Sequence, residues 1–155
     1  MGASLSASVA IGIKLSRDDI WPVITVPACE HAPSDQDKFC SVCGASTEGK
    51  KIRSNPYNIE PYEDNDRFTV TTSQLDSEET FGRDDIPLLD GEKVDCFHVV
   101  ISVRHASTPY EEAWAKIEVD GSKRIADLED ELRQVIDSEL VDKGEFGIWG
   151  ICTGG

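Results

Sequence analysis

The stretch LSASVAIGIKL, residues 5–15, decides the predicted fold. Apolar side chains occupy every second position from Leu5 to Leu15, and serine, glycine and lysine stand at most positions between them. Because neighbouring side chains of a strand point to opposite faces, this alternation predicts a long β-strand with one buried face. A buried face of this kind needs further strands beside it and another layer packed on top of it.

Five more segments are predicted as strands, because each combines alternating or continuous apolar residues with flanking turn residues. They are residues 20–28, 67–75, 94–105, 113–119 and 146–153. Residues 29–66 are predicted to be mostly loops, since proline, glycine, asparagine and aspartate recur along them.

One long helix is predicted over residues 124–142. Its apolar residues fall on a single stripe at helical spacing: Ile125, Leu128, Leu132, Val135, Ile136 and Leu140. Lys143 and Gly144 are typical of a helix end. The order of elements therefore predicts one α+β domain over residues 1–155, with a largely antiparallel sheet packed by one main C-terminal helix. Residues 28–46 are an insertion near the N-terminus.

The charge of the chain is high and unevenly distributed. Lysine and arginine number 15 against 30 acidic residues, a net charge of −15. Residues 1–58 are neutral overall, so the whole excess lies in residues 59–155, with a dense acidic belt from Glu60 to Asp95. Such a surface repels nucleic-acid phosphates and anionic lipids and attracts a basic protein. It also promotes solubility without any partner, and that alternative stays open.

The sequence predicts a cytoplasmic, non-membrane protein. No run of 18 apolar residues occurs, and the first residues lack the basic region of a secretory signal. Gly2 and Ser6 fit a myristoylation pattern, but a single acyl chain without a polybasic segment anchors weakly. Five cysteines with a CxxC pair and no export signal indicate a reducing compartment.

The insertion carries the spacing Cys29-x-His31-x8-Cys40-x2-Cys43. Three cysteines and one histidine are a common ligand set for structural zinc. A CxxC turn lets two thiolates face one ion while backbone N–H groups donate to the sulfurs. Gly44, directly after the turn, gives the chain the conformational freedom that it needs there. The insertion is therefore predicted to be a zinc knuckle with Cys29, His31, Cys40 and Cys43 as ligands.

Redox and catalytic alternatives fit the motif less well. A thioredoxin-like CxxC opens a helix, whereas Gly44 is followed by a predicted loop. A zinc deaminase needs a glutamate two residues after the first ligand and a proline before CxxC. Here those positions hold His31 and Phe39. Four protein ligands also leave no open position for water or substrate, so a structural zinc is expected.

The segment KFCSVCG, residues 38–44, resembles the knuckle of zinc-ribbon and rubredoxin-like proteins. With the CxH half included, the pattern CxH…FCxxCG also resembles small accessory proteins of tailed phages. The resemblance covers about sixteen residues, and a CxH pair stands where a zinc ribbon has its second CxxC. It implies an accessory viral protein and a zinc ion, and it implies no mechanism.

A second site is conceivable around Cys96, His98, His105 and Cys152, although a cysteine in an apolar strand is usually a small hydrophobic residue. No phosphate-binding loop, G-x-S-x-G or H-E-x-x-H motif occurs. The three tryptophans, Trp21, Trp114 and Trp149, are predicted to pack in or around the core.

We therefore expect a non-enzymatic, acidic zinc protein that acts by binding a protein with a basic surface, contacted through the acidic belt. Such binding would inhibit or regulate a partner that normally contacts nucleic acid. Two alternatives stay open. One is a small enzyme or ligand-binding protein with a site near His98 and His105, and the other is a structural component of a larger assembly. The oligomeric state is not predicted.

Overall fold

The computed structural model describes residues 5–31, 37–73, 86–94, 96, 98–108 and 116–154. Within these ranges the chain forms six strands and three helices. In chain order they are β1 (Leu5–Ser16), α1 (Arg17–Ile20), β2 (Val23–Val26), β3 (Lys50–Arg53), β4 (Thr69–Thr72), β5 (His98–Ser107), α2 (Ile125–Val135), α3 (Ser138–Lys143) and β6 (Glu145–Gly154).

The predicted N-terminal strand lies in the middle of the main sheet. The sheet has four strands in the order β4-β5-β1-β6, and every neighbouring pair is antiparallel. Ile13 of β1 lies opposite Ile101 of β5 on one side and Phe146 of β6 on the other. Strands β2 and β3 form a separate antiparallel pair. The prediction of a largely antiparallel sheet is confirmed.

One face of the main sheet packs against the helices and forms the core. Ile13 of β1 and Ile101 of β5 are both fully buried, as are Leu128 and Leu132 of α2. Trp21 is also buried, and its indole N–H donates to the carbonyl oxygen of Ile59 at 2.9 Å. The predicted burial of this tryptophan is therefore confirmed. The alternation along β1 directs the larger apolar side chains of that strand into the same core.

The opposite face of the sheet holds a small second cluster of Ala10, Val100 and Ile151, against which Trp149 packs. Gly12 and Gly147 face each other across β1 and β6. Trp149 donates its indole N–H to the Gly12 carbonyl oxygen at 3.2 Å and lies beside Gly147. An aromatic ring placed over paired glycines supplies packing that the glycines lack.

The predicted C-terminal helix is broken in two. Ile136 has extended backbone angles, and the Asp137 side chain accepts from the Glu139 N–H at 2.8 Å, which starts α3. An aspartate in this position is a strong N-cap, so a new helix begins where the apolar stripe alone predicts continuation. Leu128 and Leu132 of α2 and Leu140 of α3 nevertheless reach the same core.

The described part of residues 29–66 is mostly irregular, as predicted, with the short strand β3 within it. One other prediction needs correction. Residues 116–119 form no strand, although Ile117 and Val119 pack against the core, and residues 113–115 of that prediction lie outside the described ranges. In the part of the chain that the structure describes, no helix is both long and apolar enough to cross a membrane.

Candidate metal centre

Residues 23–53, which we call the arm, carry the predicted zinc knuckle; residues 32–36 within it lie outside the described ranges. The base of the arm is the β2–β3 pair, in which Ile24 lies opposite Ile52 and Val26 opposite Lys50. Gly49 has a φ of 79°, and a Cβ atom there would lie 2.6 Å from the Val26 carbonyl oxygen. Only glycine fits this close return of the chain.

The CxxC segment forms a tight hydrogen-bonded turn. Cys40 donates its N–H to the Ala45 carbonyl oxygen at 2.7 Å, and Gly44 donates to the Cys40 carbonyl oxygen at 2.8 Å. Gly44 has a φ of 73°, a left-handed conformation that favours glycine. The predicted role of Gly44 is therefore confirmed, and the turn places Cys40 and Cys43 on one side of the chain.

The structure brings all four predicted ligands together. The candidate ligand atoms of Cys29, His31, Cys40 and Cys43 all lie within 4.8 Å of one another. A tetrahedral zinc with Zn–S bonds of about 2.3 Å separates two sulfurs by roughly 3.8 Å, so small movements suffice for coordination. Cys29 and His31 lie beyond β2, which ends at Val26. A bend at residues 28–31 turns them toward the CxxC turn.

Backbone geometry makes one of the thiols acidic. N–H groups of Cys43 and Val42, assisted by hydrogen bonds with the Cys29 and Cys43 thiols, lower the pKa of Cys40 to about 6. The backbone at His31 lowers the pKa of Cys29, but burial and the two neighbouring thiols together raise it. Because the thiolate is the form that binds metal, the turn favours the metal-binding form of Cys40.

The cluster lies at the surface and leaves little room beside it. Cys40 is buried, Cys29 is half-buried, and His31 and Cys43 are exposed. A cleft of about 30 Å³ adjoins the cluster, lined by Cys29, His31 and Cys40 together with Pro27, Ala28, Ser46 and Thr47. Sites for small-molecule ligands usually measure roughly 300–1,000 Å³. The cleft is therefore too small for an organic substrate.

The conceivable second metal site does not form among the described residues. Cys96 is buried in the main core, whereas His98 is exposed at the start of β5. His105 lies seven residues further along the same strand, about 23 Å away at a strand rise of 3.3 Å per residue. His98 and His105 therefore do not share one compact site. The Cys152 side chain, like Gly2 and Trp114, is outside the described part of the chain.

Three carboxylates of the acidic belt lie close together in the structure, and the sequence alone does not predict this. Carboxylate oxygens of Glu60, Asp90 and Glu92 lie within 4.8 Å of one another, and all three residues are exposed. Loss of hydration and then the charges of Glu92 and Asp90 raise the pKa of Glu60. The turn at residues 88–92 brings Asp90 and Glu92 back toward Glu60, and no spacing rule in the sequence predicts this.

Comparisons of the chain with protein-family models, curated proteins and solved structures found no match. The chemistry of the residues themselves is therefore the basis on which a function can be proposed.

Proposed function

We propose that this chain is a structural zinc protein that acts by binding another protein with a basic surface. The observation that carries the metal half of the proposal is the convergence of Cys29, His31, Cys40 and Cys43 within 4.8 Å. Three sulfurs and one imidazole nitrogen are soft and borderline donors, which favour zinc over the oxygen-seeking cations calcium and magnesium.

A structural role for the zinc is supported by the number of ligands and by the surroundings. Four protein ligands complete a tetrahedron and leave no coordination position for water or substrate. The adjoining cleft of about 30 Å³ is too small to hold an organic molecule. The bound zinc would hold the segment of Cys29 and His31 against the turn of Cys40 and Cys43.

The binding half of the proposal is supported by charge. The chain carries a net charge of −15, all of it from residues 59–155. Within the acidic belt, the exposed carboxylates of Glu60, Asp90 and Glu92 repel one another. A lysine or arginine from a partner would relieve this repulsion and gain charge-assisted hydrogen bonds. Basic partners are therefore favoured, including proteins that otherwise contact nucleic acid.

The metal proposal is tested by elemental analysis of the purified protein. One zinc per chain is expected, and a fully folded protein that contains no metal would contradict it. The binding proposal is tested by capturing partners from a lysate of the native host at increasing salt. Electrostatic capture weakens steeply as the Debye length falls from about 10 Å at 0.1 M to about 3 Å at 1 M salt.

Two triple variants separate the acidic cluster from net charge. Glu60→Gln with Asp90→Asn and Glu92→Gln is expected to abolish capture at moderate salt. Glu48→Gln with Asp130→Asn and Glu139→Gln changes the same charge at other exposed positions and is expected to retain capture. If both triple variants lose partner capture to the same extent, net charge alone accounts for the binding.

One observation supports the second candidate, a ligand-binding site near His105. The Nε2 atom of His105 is buried and has no hydrogen-bond partner among the described residues. A buried ring nitrogen without a partner carries a desolvation cost that a polar ligand would offset. If this candidate is correct, His105→Ala abolishes binding of a ligand that the unaltered protein retains during purification.

A further inference from the structure

β6 is a long strand with one unpaired edge. Its inner edge pairs with β1 through ten consecutive residue pairs, without a bulge. Among the described residues, no strand lies on its outer side. In an antiparallel strand, alternate residues direct both backbone groups to the same side, so about five N–H and five C=O groups face outward from β6.

The sequence of β6 lacks the features that normally protect an edge. Natural edge strands are short, bulged, or interrupted by proline, lysine or inward-pointing charge. β6 spans ten residues, EFGIWGICTG, and contains no proline or lysine. Its single charged residue is Glu145, at its first position. The strand is thus suited to hydrogen bonding with another extended segment.

Apolar side chains flank this edge on both faces of the sheet. Ile148 shares the helix-covered face with its partner Ile11, yet 61% of its surface is exposed. Trp149 is half-buried on the other face, where the Lys14 ammonium nitrogen lies 4.5 Å from its ring centroid. A Cβ atom at Gly150 would meet no heavy atom within 4 Å. A neighbouring strand would cover both apolar side chains and find open space at Gly150.

The net charge of the chain indicates which kind of segment would pair with the open edge of β6. Pairing of β6 with β6 of a second copy would bring together two chains of −15 each. A segment from a basic protein reverses the sign of that interaction. We propose that β6 receives an extended segment of the partner as a fifth strand of the sheet, with apolar side chains at alternate positions and lysine or arginine on either side. The basic character of this partner rests on the proposed function.

A synthetic peptide provides the probe. It has nine residues, with alternating valine and threonine between two terminal lysines, and its binding is followed by fluorescence anisotropy at 50 and 300 mM NaCl. A control peptide has proline at positions 3, 4, 6 and 7 and the same charge, so whichever of its edges faces β6 lacks two backbone donors. Loss of two hydrogen bonds of about 1 kcal/mol each predicts at least a tenfold weaker interaction.

Two protein variants are matched in exposure and in charge change. Ile148→Lys places an unfavourable lysine beside the edge and should weaken peptide binding at least about tenfold. Phe39→Lys changes a side chain that is 64% exposed in the arm, outside the main sheet and the acidic belt, against 61% for Ile148, and should alter binding less than twofold, within about 0.4 kcal/mol.

Three results would overturn the proposal. The first is that the proline peptide binds as tightly as the valine–threonine peptide, and the second is that both lysine variants lose the same peptide affinity. The third is that the unaltered protein is a dimer and Ile148→Lys converts it to a monomer. If Ile148→Lys does not fold, the two peptides still decide the question on the unaltered protein. If the peptide does not bind at β6 but partner capture still depends on salt and on Glu60, Asp90 and Glu92, only the β6 site is rejected. The proposed function is then unaffected.

Discussion

Arg53 is completely buried, whereas the side chain of its partner, Asp18, is 68% exposed. The guanidinium Nη1 atom of Arg53 lies 2.6 Å from the Asp18 Oδ1 atom and also donates to the Trp21 carbonyl oxygen at 3.1 Å. The backbone of Arg53 bonds to Pro87 and Leu89. This one residue of β3 therefore joins the arm to α1 and to the segment that follows residue 85.

Asp18→Asn should destabilise the protein by about 1–3 kcal/mol. The buried guanidinium of Arg53 loses a charge-assisted hydrogen bond in this variant, and the cost stays below that of breaking a fully buried pair because water reaches Asp18. Chemical denaturation at pH 7 measures the free energy of unfolding. Asp66→Asn makes the same charge change at an exposed position, and an equal decrease in the free energy of unfolding there would contradict the role of the ion pair.

Cys43→Ala should remove the metal and lower the unfolding temperature. Cys43 is exposed, so its truncation opens no cavity, and any destabilisation reports on lost coordination. Elemental analysis and thermal unfolding are the measurements. Cys96→Ala is the control: it opens a small cavity in the main core and costs about 1–2 kcal/mol, yet it should keep one metal per chain. Retention of metal in Cys43→Ala would refute the predicted ligand set.

Gly12→Ala should destabilise the sheet by roughly 1–3 kcal/mol or more. A Cβ atom at this position would overlap the Ile101 carbonyl oxygen of β5, next to the bulge between Ile11 and Gly12. Gly150→Ala adds the same methyl group in open space and should change the free energy of unfolding by less than about 0.5 kcal/mol. Similar effects from both substitutions would contradict the close approach of β1 to β5.

Glu131 should make stability depend on pH in acid. Hydrogen bonds from Arg104 and Lys123, both at 3.0 Å, hold the pKa of Glu131 below its ordinary value. A depressed pKa stabilises the fold above the unfolded value of about 4.3 and loses that effect as pH falls through the folded value. Glu131→Gln should therefore cost about 0.5–1 kcal/mol at pH 7 and progressively less below about pH 4.

Denaturation at several pH values measures this difference. Asp130→Asn, an exposed carboxylate on the same helix, serves as the control. A penalty for Glu131→Gln that persists at pH 3 would show that packing, and not ionisation, accounts for the effect.

Local patterns in the sequence predict much of this fold. The alternation of residues 5–15 predicts β1, and the ligand spacing predicts the cluster that Cys29, His31, Cys40 and Cys43 form. Both signals act over short distances, where side-chain period or ligand chemistry fixes the geometry.

Other features depend on partners that lie far away in the chain. β3 reads KKIR, which has no strand pattern of its own, and it is held by pairing with β2 and by the bonds of Arg53 to Asp18, Pro87 and Leu89. The break at Ile136 reflects competition between an apolar stripe and the cap at Asp137. The meeting of Glu60 with Asp90 and Glu92 depends on how two loops pack, which no local pattern encodes.

The central place of β1 in the sheet has a consequence for synthesis. β1 ends at Ser16, but its two neighbours start at His98 and Glu145. Pairings so distant in sequence form late, because the intervening chain must first be made and its loop closed. The four metal ligands, by contrast, lie between Cys29 and Cys43, so they can come together on the ribosome before the sheet forms. Residues 5–16 meanwhile leave the exit tunnel before their partner strands are made, so a chaperone that shields their apolar side chains should raise the yield of native protein.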